Sequence, residues 1–259
     1  MINFLRKLRK ENGSNMKYLK YALGEIALVV TGILIALAIN NWNQHRKDRI
    51  KEQKVLKQLK TEYQSNLEQL NSKIQIRNRM KASGQRLLHF MNHPNGVSSD
   101  SILYHLGQTG YRPTFDPIKN DIVNTEKLSL IQNDSLRVLL SQWETNVYQL
   151  NEEEWFWRDF VIEVRLPFLI ENHLTRKVSY FSQHNFRKYY LPDSKTIDNN
   201  STFEDTNRTI DFRELLNTAK LESIAVAAVF SATDANVISG TLKENIETIQ
   251  RLIDQEIKP

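Results

Sequence analysis

Residues 134–166 read DSLRVLLSQWETNVYQLNEEEWFWRDFVIEVRL. Leu136, Leu140, Trp143, Val147 and Leu150 stand four, three, four and three residues apart. After a step of seven, Trp157, Val161, Val164 and Phe168 resume the alternation. That period gathers the apolar residues on one face of an α-helix, and such a face needs a partner surface. Asn133 or Asp134 supplies the N-cap, a side-chain oxygen for the first free backbone N–H groups. Pro167 is predicted to kink or end the helix, because it lacks an N–H and crowds the preceding turn. Glu154 sits on the stripe where the apolar residues are interrupted. A carboxyl buried there against indole would have a raised pKa and could work as an acid or base. Pairing with a basic residue of the 40–93 helix is the structural alternative, and the positive excess of that segment favours it.

Working outward, residues 172–210 are polar, with Asn, Ser, Thr and Asp clustered at 193–209. They are predicted to form one long irregular loop with a short extended piece at Val178–Phe181. The remainder is predicted to be helical again, Ala-rich over 219–232 and then with another stripe of Ile238, Leu242, Ile246, Ile249, Ile253 and Ile257. On the other side, residues 44–93 hold no proline and a single glycine, Gly84. Leu56, Leu59, Tyr63, Leu67, Leu70, Ile74, Met80, Leu87 and Met91 are spaced mostly three or four apart, the mark of a long amphipathic helix without a strict heptad. His93-Pro94-Asn95-Gly96 stops it. Residues 94–133 carry short helices at about 99–106 and 118–126 and a loop at 107–117. These residues can reverse the chain, so the 40–93 helix is predicted to pack antiparallel on the 134–166 helix.

The class is therefore all-α, a helical bundle. Glycine and proline number 8 and 6 in 259 residues, about half of average usage, too few turns for many-stranded sandwiches or barrels. With no cysteine, disulfide frameworks, Cys-ligated zinc, iron–sulfur clusters and thiol catalysis are excluded. The net charge of +5 suggests nucleic acid, but its distribution does not. Residues 1–39 hold 6 basic and 2 acidic residues, 40–89 hold 12 and 4, and 90–259 hold 17 and 24. Basic residues flanking an apolar run address anionic headgroups. No nucleic-acid-binding motif accompanies them, so no nucleic-acid partner is expected.

The apolar run is ALGEIALVVTGILIALAI, residues 22–39, with one charge, Glu25. As a helix it is ~27 Å long, close to the ~30 Å hydrocarbon core. Tyr18, Tyr21 and Trp42 bracket it as interfacial aromatics do. It is predicted to cross a membrane once and to run directly into the next helix as a stalk. Cleavage as a signal peptide stays open, since Ala36-Leu37-Ala38 has the small-x-small pattern, although the run is longer than a usual signal core. Six basic residues lie on either side, so the positive-inside count is level. The short basic tail 1–21 favours a cytoplasmic N-terminus and a periplasmic C-terminal domain. The expected organisation is tail 1–21, span 22–39, stalk 40–93 and bundle 94–259. Glu25, Val29, Gly32 and Ala36 fall on one side of the span. Gly32-x-x-x-Ala36 allows close backbone approach, and an intramembrane carboxyl usually faces protein. These four residues are the candidate membrane-partner face; reach of Glu25 to the interface is the alternative.

The leader MINFLRKLRK and the anchor YALGEIALVVTGILIALAINNWN, residues 21–43, resemble a family of uncharacterised membrane proteins common in flavobacteria and other Bacteroidota. A weaker similarity covers Leu128–Arg137. Ala38 departs from the family pattern by completing Ala-x-Ala. The resemblance implies a membrane-anchored helical protein and brings no activity, cofactor or catalytic residue.

His89 and His93 have a metal-ligand spacing, but lack the rest of a ligand set and read as helix-terminal surface residues. Phosphate loops, nucleophile elbows and kinase signatures are absent from the sequence. No cofactor, metal or catalytic set is expected. The expected role is a membrane-anchored interaction or scaffold protein whose partners are the lipid bilayer and a protein or second copy. The alternative is a sensory or ligand-binding helical module that signals through a partner.

Overall fold

The computed structural model describes residues 2–118, 125–186 and 204–257, with side chains over 21–118, 127–182 and 204–257. Its helices are α1 (Ile2–Asn92), α2 (Ser99–Gln108), α3 (Thr125–Leu128), α4 (Asp134–Phe160), α5 (Leu166–Glu171), α6 (Thr175–Phe186), α7 (Phe212–Leu216) and α8 (Ala219–Glu256), with a π-helical turn at Val161–Arg165 between α4 and α5. No strand occurs among the described residues, and the fold is all-α. The chain divides into two compact units, Met1–Val55 and Leu56–Pro259. The first consists of the N-terminal part of α1; the second contains the remainder of α1 and all later helices.

In the second unit three long helices enclose the core. Tyr63 meets Trp143 edge-on with ring centroids 5.1 Å apart, Arg77 pairs with Glu154, and Met80 packs with Trp157. Residue numbers rise together along α1 and α4, so these helices are parallel. The expected antiparallel packing of the 40–93 and 134–166 helices is thus corrected. On α8 the order reverses: Gln64 bonds Gln250, Asn78 bonds Asn236, and Gly84 lies against Ala225. Gly84 is required there, because a Cβ would stand 2.6 Å from the Ala225 carbonyl oxygen.

Two parallel helices need a return path, and residues 111–118 provide it. Tyr111, Pro113, Phe115 and Pro117 are buried while Arg112, Thr114, Asp116 and Ile118 are exposed, the period-2 alternation of an extended chain. Pro113 and Pro117 hold the backbone out of the helical region and bring no N–H into the interior. Tyr111 packs on Ile76, and the Ile118 N–H reaches Asn66. Seven extended residues cover up to ~23 Å, enough to pass the ~15 Å of helix from Ile76 to Asn66. We call this segment the strap.

Asn133 caps α4 through a 3.0 Å bond from the Leu136 N–H. Leu136, Leu140, Trp143, Val147, Leu150 and Trp157 are all buried. Ahead of Pro167, which has no N–H to offer the preceding turn, the helix widens into the π turn and then continues as α5. One further expectation is corrected: within the expected loop 172–210, Thr175–Phe186 is helix α6, so Val178–Phe181 is helical and not extended, with Leu174 and Val178 in the core. The Ala-rich segment and the isoleucine stripe are helical as expected and run as one helix, α8, with Ile257 as its C-cap. The expected helix at 118–126 overlaps residues outside the described ones, and residues 187–203 of the expected loop 172–210 lie outside them as well.

Candidate functional site

Within the first unit, residues 21–46 are all exposed. Leu28 is 76% exposed, Leu34 60% and Ile39 61%. The helical period places Glu25, Val29, Gly32 and Ala36 along one side, and nothing lies within 4 Å of a Cβ built on Gly32. Thr31 returns its hydroxyl to the Ala27 carbonyl at 2.7 Å, so it adds no free polar group to the run. Among the described residues, two helices are long and apolar enough to cross a membrane. The apolar window of α1 is wholly unburied, whereas that of α8 is 39% buried and carries core residues.

The buried polar centre lies in the second unit around Glu154. Glu154 is buried on α4 and pairs with Arg77 of α1. Arg77 donates as well to the Ser239 hydroxyl of α8 at 2.7 Å. The Phe115 N–H of the strap is shared between the two carboxylate oxygens, at 3.1 and 2.9 Å. One ion pair thus joins three helices and the strap. Burial pushes the Glu154 carboxyl up, opposed by the Arg77 guanidinium, the Phe115 N–H and Lys73. Burial pushes Arg77 down, opposed by Glu154. Both carboxylate oxygens are occupied, so the group acts as a clamp between elements.

Further side chains hold the strap. Gln69 accepts from the Asp116 N–H at 3.0 Å and donates to its carbonyl at 2.9 Å, as a neighbouring strand would. Asn66 accepts from the Ile118 N–H at 2.8 Å, and the Trp157 indole N–H donates to the Tyr111 carbonyl at 2.7 Å. Backbone groups of a buried non-helical segment must find partners, and these residues supply them. Arg165, presented by the π turn, donates to the Leu106 carbonyl at 2.8 Å and to the Thr109 hydroxyl at 3.3 Å, closing the end of α2.

The sequence reading places Glu154 but misses Arg77, Asn66 and Gln69. The alternation from Tyr111 to Pro117 is the signal that reveals a chain needing such partners. His89 and His93 are exposed and stacked, with ring centroids 4.6 Å apart. No cluster of three or more His, Cys, Asp or Glu able to hold a metal occurs among the described residues.

The fold and these features define an all-α protein that, among the described residues, carries a wholly exposed apolar helical segment at 22–39. Residues 25–89 match the model of a family of unknown function, DUF6090, which takes in most of the apolar run and the helix after it. Comparison with curated proteins and with solved structures found no match.

Proposed function

We propose that this chain is a single-pass protein of a bacterial inner membrane, anchored by residues 22–39, with a cytoplasmic N-terminus and a periplasmic helical unit that binds another protein. The observation that carries the reading is the apolar run itself: eighteen residues, uncharged apart from Glu25, lie exposed around the whole circumference of α1. Such a surface in water would be a large apolar patch, and a bilayer is the surrounding that covers it on every side. The Gly32/Ala36 side gives this span a face for a neighbouring helix, and Glu25 makes that face the costly one to leave against lipid. The remaining unit is bound together by polar clamps that face its own strap and helices, which supports a binding scaffold in preference to a catalyst.

Alkaline carbonate washing of native membranes tests the anchor. The chain is expected to stay in the pellet, and a variant with Leu28, Ile33 and Leu37 all changed to Asp is expected in the supernatant. Release of the unaltered chain would refute the anchor.

A further inference from the structure

We propose that the groove between α4 and α8 docks a basic amphipathic helix of a partner protein, an inference that rests on the interaction reading above. The groove has a volume of about 420 Å³, within the range of concave binding sites. Phe160 and Ala227 are partly buried beneath it against the core. Phe156, Val226 and Phe230 rise from it 60%, 50% and 62% exposed, and Val237 continues the stripe at 67%. From Val226 to Val237 the stripe covers three turns of α8, ~16 Å. Apolar side chains grouped this way mark an interaction site more often than isolated exposed residues do.

Charge selects the occupant. On a helix surface the neighbours of a residue lie three and four positions away. Around Phe156, Phe160, Val226 and Phe230 those positions hold Glu152, Glu153, Asp159, Glu163, Glu222 and Asp234, and no lysine or arginine. Asp159 is paired with Arg158 on the surface. A second copy docking face to face would set carboxylates against carboxylates, and an anionic bilayer surface would be repelled as well. A helix with apolar anchors and flanking lysines meets both the groove and its rim. The furrow between two antiparallel helices is suited to a third helix laid along it.

The test uses the full chain in zwitterionic nanodiscs and a fluorescently labelled Leu/Lys peptide with leucines at helical spacing, about 15 residues long so that the helix can form. Anisotropy should show saturable binding above that of empty nanodiscs, weakening as salt screens the rim. Phe156→Ser and Phe230→Ser should each weaken it about tenfold or more, the effect of removing a central aromatic anchor. Glu222→Gln with Asp234→Asn should also weaken it and flatten its salt dependence. These residues are exposed, and unchanged melting curves would confirm that the variants fold. A Leu/Glu peptide of the same spacing should not bind. Binding no better than to empty nanodiscs, equal binding of the Leu/Glu peptide, or no effect of Phe230→Ser would each overturn the proposal. If carbonate washes the chain from membranes while the peptide still binds, the anchor reading fails and the groove stands. If the chain stays in membranes and ignores the peptide, the groove fails alone.

Discussion

Glu154 and Arg77 show how much one buried ion pair can organise. Removing one partner leaves the other charge uncompensated in the interior, so Glu154→Ala should destabilise the folded unit by about 3–5 kcal/mol. Arg77→Met with Glu154→Leu should recover part of that loss. Recovery stays incomplete because the Phe115 N–H loses its acceptor, worth about 1–3 kcal/mol. Urea unfolding followed by the fluorescence of the buried Trp143 and Trp157 measures both. Glu62 makes a pH-dependent counterpart. Its side chain is buried, and desolvation raises its pKa above the ordinary 4.5, opposed by a Gln58 hydrogen bond and by Lys127. A raised carboxyl favours the folded state below its unfolded pKa, and that contribution fades as pH climbs through the folded value. Glu62→Gln is therefore expected to raise the melting temperature at pH 7, with the difference shrinking toward pH 4. An equal gain at both pH values would contradict the assignment. Glu154 is legible in the sequence because it occupies a stripe position where Leu or Trp would otherwise stand. Its acceptor role toward Phe115 is not legible, because no local spacing relates a helical side chain to a backbone N–H 39 residues away.

At the scale of elements, helical period locates the 44–93 part of α1, α4 and the C-terminal part of α8, because each carries a regular apolar face. Their directions are another matter. An apolar stripe says that a helix has a partner and nothing about polarity, which depends on whether the connection turns back once or twice. Here the strap carries the chain back along α1 before α4 starts, and the cue lies in Pro113 and Pro117, which keep an alternating Tyr-x-x-x-Phe segment extended. Helix α6 is missed for a different reason: Leu174, Val178 and Phe181 have helical spacing but lie in an otherwise polar stretch. The core substitutions Leu136→Ala and Leu140→Ala should each cost ~2–5 kcal/mol, since both side chains are sealed from water. Unchanged melting temperatures would contradict the packing of α4.

For the molecule as a whole, the proposed span and its proposed face make separate predictions. If the side bearing Glu25, Gly32 and Ala36 packs on another helix, Gly32→Leu should abolish cross-linking between spans, while Leu28→Ile leaves it intact. Glu25→Gln keeps a hydrogen-bonding group and should weaken the cross-link less than Gly32→Leu. If Gly32→Leu leaves every cross-link in place, that face is wrong. The anchored topology is open to direct chemical reading, because the chain has no cysteine of its own. Single-cysteine variants Ser14→Cys and Ser141→Cys place one thiol before and one after the proposed span in the sequence. With a membrane-impermeant maleimide, Ser141→Cys should be labelled in intact spheroplasts, and Ser14→Cys only after the membrane is opened. Labelling of both thiols in intact spheroplasts, or of Ser14→Cys alone, would contradict the account.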